Sequence, residues 1–361
     1  VTHSVIITDV TCNGDADGTI EVTAAGGNGI YEFSIDGGPW TGITANPHTF
    51  SGLTAGDYDI QVRDGNGCTS TVSTETVNEP TAVTHSVVIT DVTCNGDADG
   101  TIEVTAAGGD GSYEFSINGG PWTGITANPH TFSGLAAGDY DIQVRDATGC
   151  TSTVSTETVN EPTAVTHSVV ITDVTCNGDA DGAIEVTAAG GDGTYEFSID
   201  GGPWTGITAN PHTFSGLTAG DYDIQVRDGS GCTSTVSTET VSEPAPVTHS
   251  VVITDASCNG AADGTIEVTA AGGNGIYEFS IDGGPWTGIT ANPHTFSGLT
   301  AGDYDIQVRD GNGCTSTVST ETVNEPTAVT HSVVITDVTC NGDADGTIEV
   351  TAAGGNGIYE F

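Results

Sequence analysis

Eleven residues, Cys12-Asn-Gly-Asp-Ala-Asp-Gly-Thr-Ile-Glu-Val22, hold the most suggestive chemistry in this chain. Oxygen-bearing side chains stand at alternate positions (Asn13, Asp15, Asp17), followed by Gly18. That is the spacing by which a tight loop wraps Ca²⁺. An EF-hand loop would need a bidentate acid seven residues after Asp17, where Ala24 stands instead. The set is therefore incomplete within the loop, and the competing reading is a polar hairpin turn built from Asn, Asp and Gly. The copies supply Asn95, Asp97 and Asp99, then Asn177, Asp179 and Asp181, then Asn341, Asp343 and Asp345. One copy, Asn259-Gly-Ala-Ala-Asp263, lacks a carboxylate.

Cysteine is the second reactive type. Cys12 and Cys68, Cys94 and Cys150, Cys176 and Cys232, and Cys258 and Cys314 recur as regular pairs, with Cys340 following. Pairs without CxxC spacing in small β-units read as disulfides rather than zinc ligands, and they indicate an oxidising, extracellular setting. Two pairings are open. One closes Cys12 on Cys68 within a unit. The other staples neighbours as Cys12–Cys150, Cys94–Cys232 and Cys176–Cys314, leaving Cys68, Cys258 and Cys340. Bridged Cα atoms must lie within about 7 Å, so the choice depends on which ends of the unit the two hairpins occupy.

Other arrangements are weaker. Trp40 and Tyr31 offer a sugar-stacking pair, although aromatics in a small sandwich are more often core. His3 and His48 read as surface or linker residues. Asp57 and Asp59 share one exposed strand face, and Arg63 is expected to pair with a cross-strand acid. No Ser-His-Asp or Cys-His constellation stands out, so the chain reads as non-catalytic.

These residues sit in a strict internal repeat. The segment Val-Thr-His-Ser-Val at Val1 returns at Val83, Val165, Val247 and Val329. The reading is four units (1–82, 83–164, 165–246, 247–328) and a partial fifth (329–361), a window on a longer array. Residues 1–82 and 83–164 are nearly identical, differing for example as Ile30/Ser112 and Asp36/Asn118. Val, Ile, Thr and Gly dominate and methionine is absent, an alphabet for strands and turns. Alternation predicts strands at 4–8, 19–25, 31–35, a short return at 39–40, 48–53, 57–63 and 69–77. Seven strands of this kind predict tandem immunoglobulin-like β-sandwiches. An odd strand number puts the termini at opposite ends, so the units are expected to string into an elongated rod. Stiff linkers join them at Glu79-Pro80, Glu161-Pro162, Glu243-Pro244 and Glu325-Pro326.

Forty-nine acidic residues against four basic ones give a net charge of −45. That argues against nucleic acid and anionic lipid as partners, since both require basic patches. Neither a signal peptide nor a membrane span is visible. The expected partners are neighbouring repeats, other copies in a filament, or surface glycans.

The joint pattern Cys12-Asn-Gly-x-x-x-Gly18, Gly26-Gly27, Tyr31, Gly56-x-Tyr58 and Val62-x-Asp64-x-x-Gly67-Cys68 resembles the SprB-type repeats of gliding-bacterium surface adhesins, over most of each unit. The resemblance implies large cell-surface proteins of the Bacteroidota exported by the type 9 pathway, some acting as mobile adhesins in gliding. One departure is the first turn, which the family does not require to be acidic. From the architecture follows a further expectation: Asp15 and Asp17, Glu79 and the Asp146 turn of the next unit share a calcium ion at each joint. The overall expectation is a structural stalk or filament segment, with a multivalent glycan-binding module or a self-assembling filament subunit as alternatives.

Overall fold

The computed structural model describes all of residues 1–361, and every regular element is a β-strand. In the first repeat these are β1 (Thr2–Thr8), β2 (Gly18–Ala25), β3 (Tyr31–Ile35), β4 (His48–Leu53), β5 (Gly56–Asp64) and β6 (Ser73–Val77). Two three-stranded antiparallel sheets result, ordered β1-β2-β4 and β3-β5-β6. The alternation that predicts the strands also fills the core. Ile20 and Val22 on β2 face Phe33 on β3 and Ile60 and Val62 on β5, all fully buried. Stacking two sheets is the way such half-apolar strands cover their apolar faces.

The repeat has six strands where seven were expected. Residues 39–40 form none, because the return from β3 to β4 is irregular and meets β3 through scattered backbone bonds and the Thr41 side chain rather than a continuous ladder. Thr41 N donates to Phe33 O at 3.0 Å, Phe33 N to Thr41 Oγ1 at 3.1 Å, and Thr44 N to Tyr31 O at 3.4 Å. Farther along, Asn46 docks on β2 like a strand residue, accepting from Ala24 N and donating to Ala24 O. The segment still carries the chain back across the sandwich, so β1 and β6 run the same way and the repeat's termini lie at opposite ends. The tyrosine corner forms as the pattern suggests, with Tyr58 Oη donating to Thr54 O at 2.8 Å.

The chain divides into two compact units. The first comprises Val1–Val165 with Gly190–Asp192 and Ser230–Cys232. It contains the sandwich just described and a second one, with sheets of Thr84–Thr90, Gly100–Ala107 and His130–Leu135 and of Tyr113–Ile117, Gly138–Asp146 and Ser155–Val159. The second unit comprises Thr166–Ala189, Gly193–Gly229 and Thr233–Phe361. Two more sets of six strands occur there, followed by a two-stranded hairpin, Thr330–Thr336 with Thr347–Ala353.

Candidate functional site at the repeat junction

The cysteines decide where the site lies. Bonds join Cys12 to Cys150, Cys94 to Cys232 and Cys176 to Cys314, each across 138 residues. The within-repeat alternative fails because Cys12 sits in the β1–β2 loop and Cys68 in the β5–β6 turn, at opposite ends of one sandwich. Cys68 and Cys258, expected in disulfides, carry none and are exposed, as is Cys340. No cysteine of the sequence lies 138 residues from any of the three. In the first unit Cys150 is only 7% exposed, and Cys12 packs against the core cluster that holds Ile102, Val104, Phe115 and Val144. In the second unit Cys176 packs likewise against the cluster of Phe279, Ile306 and Val308. Both of these bridges are thus part of the hydrophobic core of the repeat that receives them.

The donating loop is held by its own linker. Gly14 N donates to Glu79 Oε2 at 2.8 Å, Asn13 Nδ2 to Pro80 O at 3.1 Å, and Val10 N to Asn78 O at 3.1 Å. Asp17 Oδ1 closes the turn by accepting from Thr11 N at 2.9 Å. Hydrogen bonds from the Thr11 side chain and then its backbone hold the Asp17 carboxyl below its ordinary value.

The receiving turn is built on an acid that the strand pattern did not single out. Asp146, 2% exposed, accepts from Thr148 Oγ1 at 2.7 Å, Cys150 N at 2.9 Å and Thr148 N at 3.0 Å, all on Oδ1. Its Oδ2 accepts from Asp110 N at 3.3 Å. Burial alone would raise this carboxyl, but hydrogen bonds from Thr148, Cys150 and Asp110 outweigh it and keep it low. A buried carboxylate is tolerated here because backbone N–H groups solvate it. Its equivalents Asp64, Asp228 and Asp310 are buried too.

Glycine completes the joint. Gly109 N donates to Thr81 O at 2.8 Å, and a Cβ at Gly108 (φ +81°) would overlap Ala82 O. A Cβ at Gly109 (φ +59°) would lie 2.5 Å from Asp146 Oδ2. The linker 78–82 is therefore bonded to the repeat before it through Asn13 and Glu79, and to the repeat after it through Gly109.

The expected calcium set is placed differently. Asp17 serves its own turn, Glu79 binds Gly14, and Asp146 is enclosed by its own loop. Only Asp15 is left exposed at the groove edge near Cys12, Thr81 and Cys150. No three His, Cys, Asp or Glu side chains gather where a metal could be held. In the fourth repeat Ala261 takes the Asp15 position and the turn keeps its form, with Ala261 N donating to Cys258 O at 3.0 Å. There Asn259 Nδ2 and Gly260 N both donate to Glu325, at 2.7 and 2.6 Å.

The remaining sequence candidates have structural partners. Tyr31 is inside the sandwich, its Oη donating to Gly26 O. Trp40 is half-buried and capped by the Arg63 guanidinium, 4.5 Å from the ring centroid. The two aromatics therefore share no stacking surface. Arg63 pairs with Glu32 directly across the strand register. Asp57 and Asp59 accept from Thr76 and Thr74 on β6. Neither histidine is a surface or linker residue. The His48 ring stacks on Phe33 and meets Phe50 edge-on. His3 bridges the two sheets, with Nδ1 3.1 Å from Ser70 Oγ and Nε2 2.7 Å from Ser73 Oγ. Ser70 Oγ already gives its proton to Thr71 O and receives Val62 N. It can only accept from His3, which assigns the ring proton to Nδ1 and leaves Nε2 to accept from Ser73.

The SprB repeat model matches five times, at residues 4–39, 86–121, 168–203, 250–285 and 332–361. Each full match ends shortly after β3, so it includes the Cys12 loop and Tyr31 but not the Gly56…Cys68 half of the motif. No curated protein matches the chain. Among solved structures, Sidekick-1 immunoglobulin domains 1–5 align at 10% identity and a TM-score of 0.32, covering 88% of this chain and 80% of that one. An I-band fragment of titin aligns at 11% identity and a TM-score of 0.33, covering 67% and 98%. Invasin, a bacterial integrin-binding protein, aligns at 15% identity and a TM-score of 0.32, covering 93% and 82%. No helix is long and apolar enough to cross a membrane. With immunoglobulin-like sandwiches repeating every 82 residues and the family's signature at the head of each, the chain is a tandem SprB-type repeat protein.

Proposed function

We propose that this array is the stalk segment of an extracellular bacterial adhesin, carrying a binding tip away from the cell rather than binding or catalysing itself. The observation that supports this most is the joint. Within each compact unit a bridge, Cys12–Cys150 or Cys176–Cys314, enters the core of the next repeat, and the linker 78–82 is hydrogen-bonded on both sides. Such joints resist bending and survive outside the cell, where cystines persist. Near-identical copies favour repetition of one mechanical part over a series of specialised sites. Asp17, Asp57, Asp59, Glu79, Asp146, Ser70, Ser73, His3 and His48 are engaged in turns, strand pairs and ring contacts, which supports a non-catalytic reading. Family membership supports placement at the cell surface, with type 9 export and a part in gliding as further elements of the proposal. Calcium is not required by this mechanism.

The test deletes one 82-residue repeat, then two, from the surface-displayed protein and measures the distance at which cells capture beads, along with the capture efficiency. Capture distance should fall with each deletion while efficiency persists. If efficiency instead falls in proportion to repeat number, the repeats themselves bind, and a multivalent glycan-binding surface replaces the stalk.

A further inference from the structure

We propose that the staggered disulfides turn the array into a tether with a covalent limit on extension, carried by two interleaved routes. This property follows from connectivity alone and holds whether the array serves as a stalk or as a binding surface. Because every bridge skips from the first hairpin of one repeat to the last turn of the next, bonds alternate along the chain. One route follows Val1–Cys12, crosses to Cys150, continues to Cys176, crosses to Cys314 and runs on to Phe361. The other uses residues 68–94, crosses to Cys232 and continues along 232–258. Wherever one route crosses a joint by a cystine, the other crosses it by the linker peptide. In the four full repeats, strands equivalent to β2–β5 lie on closed covalent rings that an end-to-end pull bypasses.

Inside a repeat the two routes run side by side, one along the first strand and the other along the last, and the sandwich bonds them together. In the second repeat His85 Nδ1 lies 3.0 Å from Ser152 Oγ and His85 Nε2 2.8 Å from Ser155 Oγ. Val92 N donates to Asn160 O at 3.0 Å and Asn160 N to Asp91 Oδ1 at 2.8 Å. The fourth repeat repeats the lacing through His249, Ser316 and Ser319, with Ala256 N donating to Asn324 O. Load on either route is thereby shared at both ends of the first strand.

The limit is countable. The shortest covalent path from Val1 to Phe361 contains about 87 residues, about 30 nm when extended, against about 120 nm for the whole chain. Removing the Cys12–Cys150 bridge forces the path through Cys94–Cys232 and back to Cys176, raising it to about 199 residues or about 68 nm. Removing the Cys94–Cys232 bridge changes nothing, because the shortest path never uses it. Two sequence-equivalent bridges thus have opposite mechanical consequences when the chain is held by its ends.

The experiment stretches the whole chain from residues 1 and 361 by optical tweezers or atomic force microscopy, with Cys68, Cys258 and Cys340 alkylated. Oxidised protein should stop lengthening at about 30 nm, and dithiothreitol, which reduces each cystine to two thiols, should release it to about 120 nm. The double variant Cys12→Ser/Cys150→Ser should roughly double the limit, and Cys94→Ser/Cys232→Ser should leave it unchanged. Oxidised protein that extends in full-repeat steps towards 120 nm overturns the proposal, as does an equal effect of the two double variants.

Discussion

Cys12 is covalently bound to Cys150 of the following repeat, and it packs against that repeat's core rather than its own. The receiving cysteine owes its position to Asp146, whose carboxylate takes the Cys150 N–H at 2.9 Å.

Replacing Asp146 by Ala should therefore loosen the receiving turn. The variant leaves the N–H groups of Thr148 and Cys150 without their acceptor, which costs about 1–3 kcal/mol. Chemical denaturation should show the loss, and hydrogen exchange should rise at Thr148 and Cys150. A variant as stable and as protected as the parent would remove Asp146 from this role.

Gly108 predicts a contrast within one turn. Gly108→Ala forces its Cβ into Ala82 O, so the Gly109–Thr81 bond should break and limited proteolysis should cut the linker 78–82 faster. Gly111→Ala is the control, since it has a similar φ of +87° but nothing within 4 Å of the added Cβ. It should cost only the backbone penalty of about 1–2 kcal/mol and leave the linker protected. Equal cutting in both variants would mean that the close approach is unimportant.

Acid should destabilise the array before its carboxylates protonate. Burial holds His85, His167 and His249 below the ordinary imidazole value, with Glu157, Glu239 and Glu321 pulling weakly the other way. Folding thus favours the neutral ring. That contribution is complete above the unfolded value of about 6.5 and is lost as pH falls through it towards the lower folded value. Tm should drop between about pH 7 and 5, and the triple His→Gln variant should flatten the slope. A Tm that is constant or rises over this interval would contradict the assignment. Asp146, also held low, adds a further loss only in stronger acid.

Divalent ions test the loop directly. With Asp17 committed to Thr11 and Glu79 to Gly14, millimolar Ca²⁺ and Mg²⁺ should raise Tm equally, by screening a chain of net charge −45. A rise specific to Ca²⁺, lost in Asp15→Ala, would restore the loop as an ion site.

Much of this was legible in the residues. The 82-residue period, the tyrosine corner and the inward sets on β2, β3 and β5 follow from local alternation, because a strand's faces are fixed by parity. The inward position of Asp64 and Asp146 was missed, although Tyr58, Ile60 and Val62 lead to Asp64 by the same rule. The missing cue was that an inward acid needs local N–H donors, which the turn ending in Gly67-Cys68 supplies.

Three things depended on the assembled fold. The 36–47 return is irregular because its Thr41 and Asn46 side chains take the backbone groups of Phe33 and Ala24 where a regular ladder would, and no periodicity encodes that. His3 is a sheet-to-sheet bridge because Ser70 and Ser73 reach it from about 70 residues away. Above all, the cysteine spacing allowed two pairings. Sequence determined that the cysteines recur in register, but only the sandwich, by placing Cys12 and Cys68 at opposite ends, decided that each bridge must leave its own repeat.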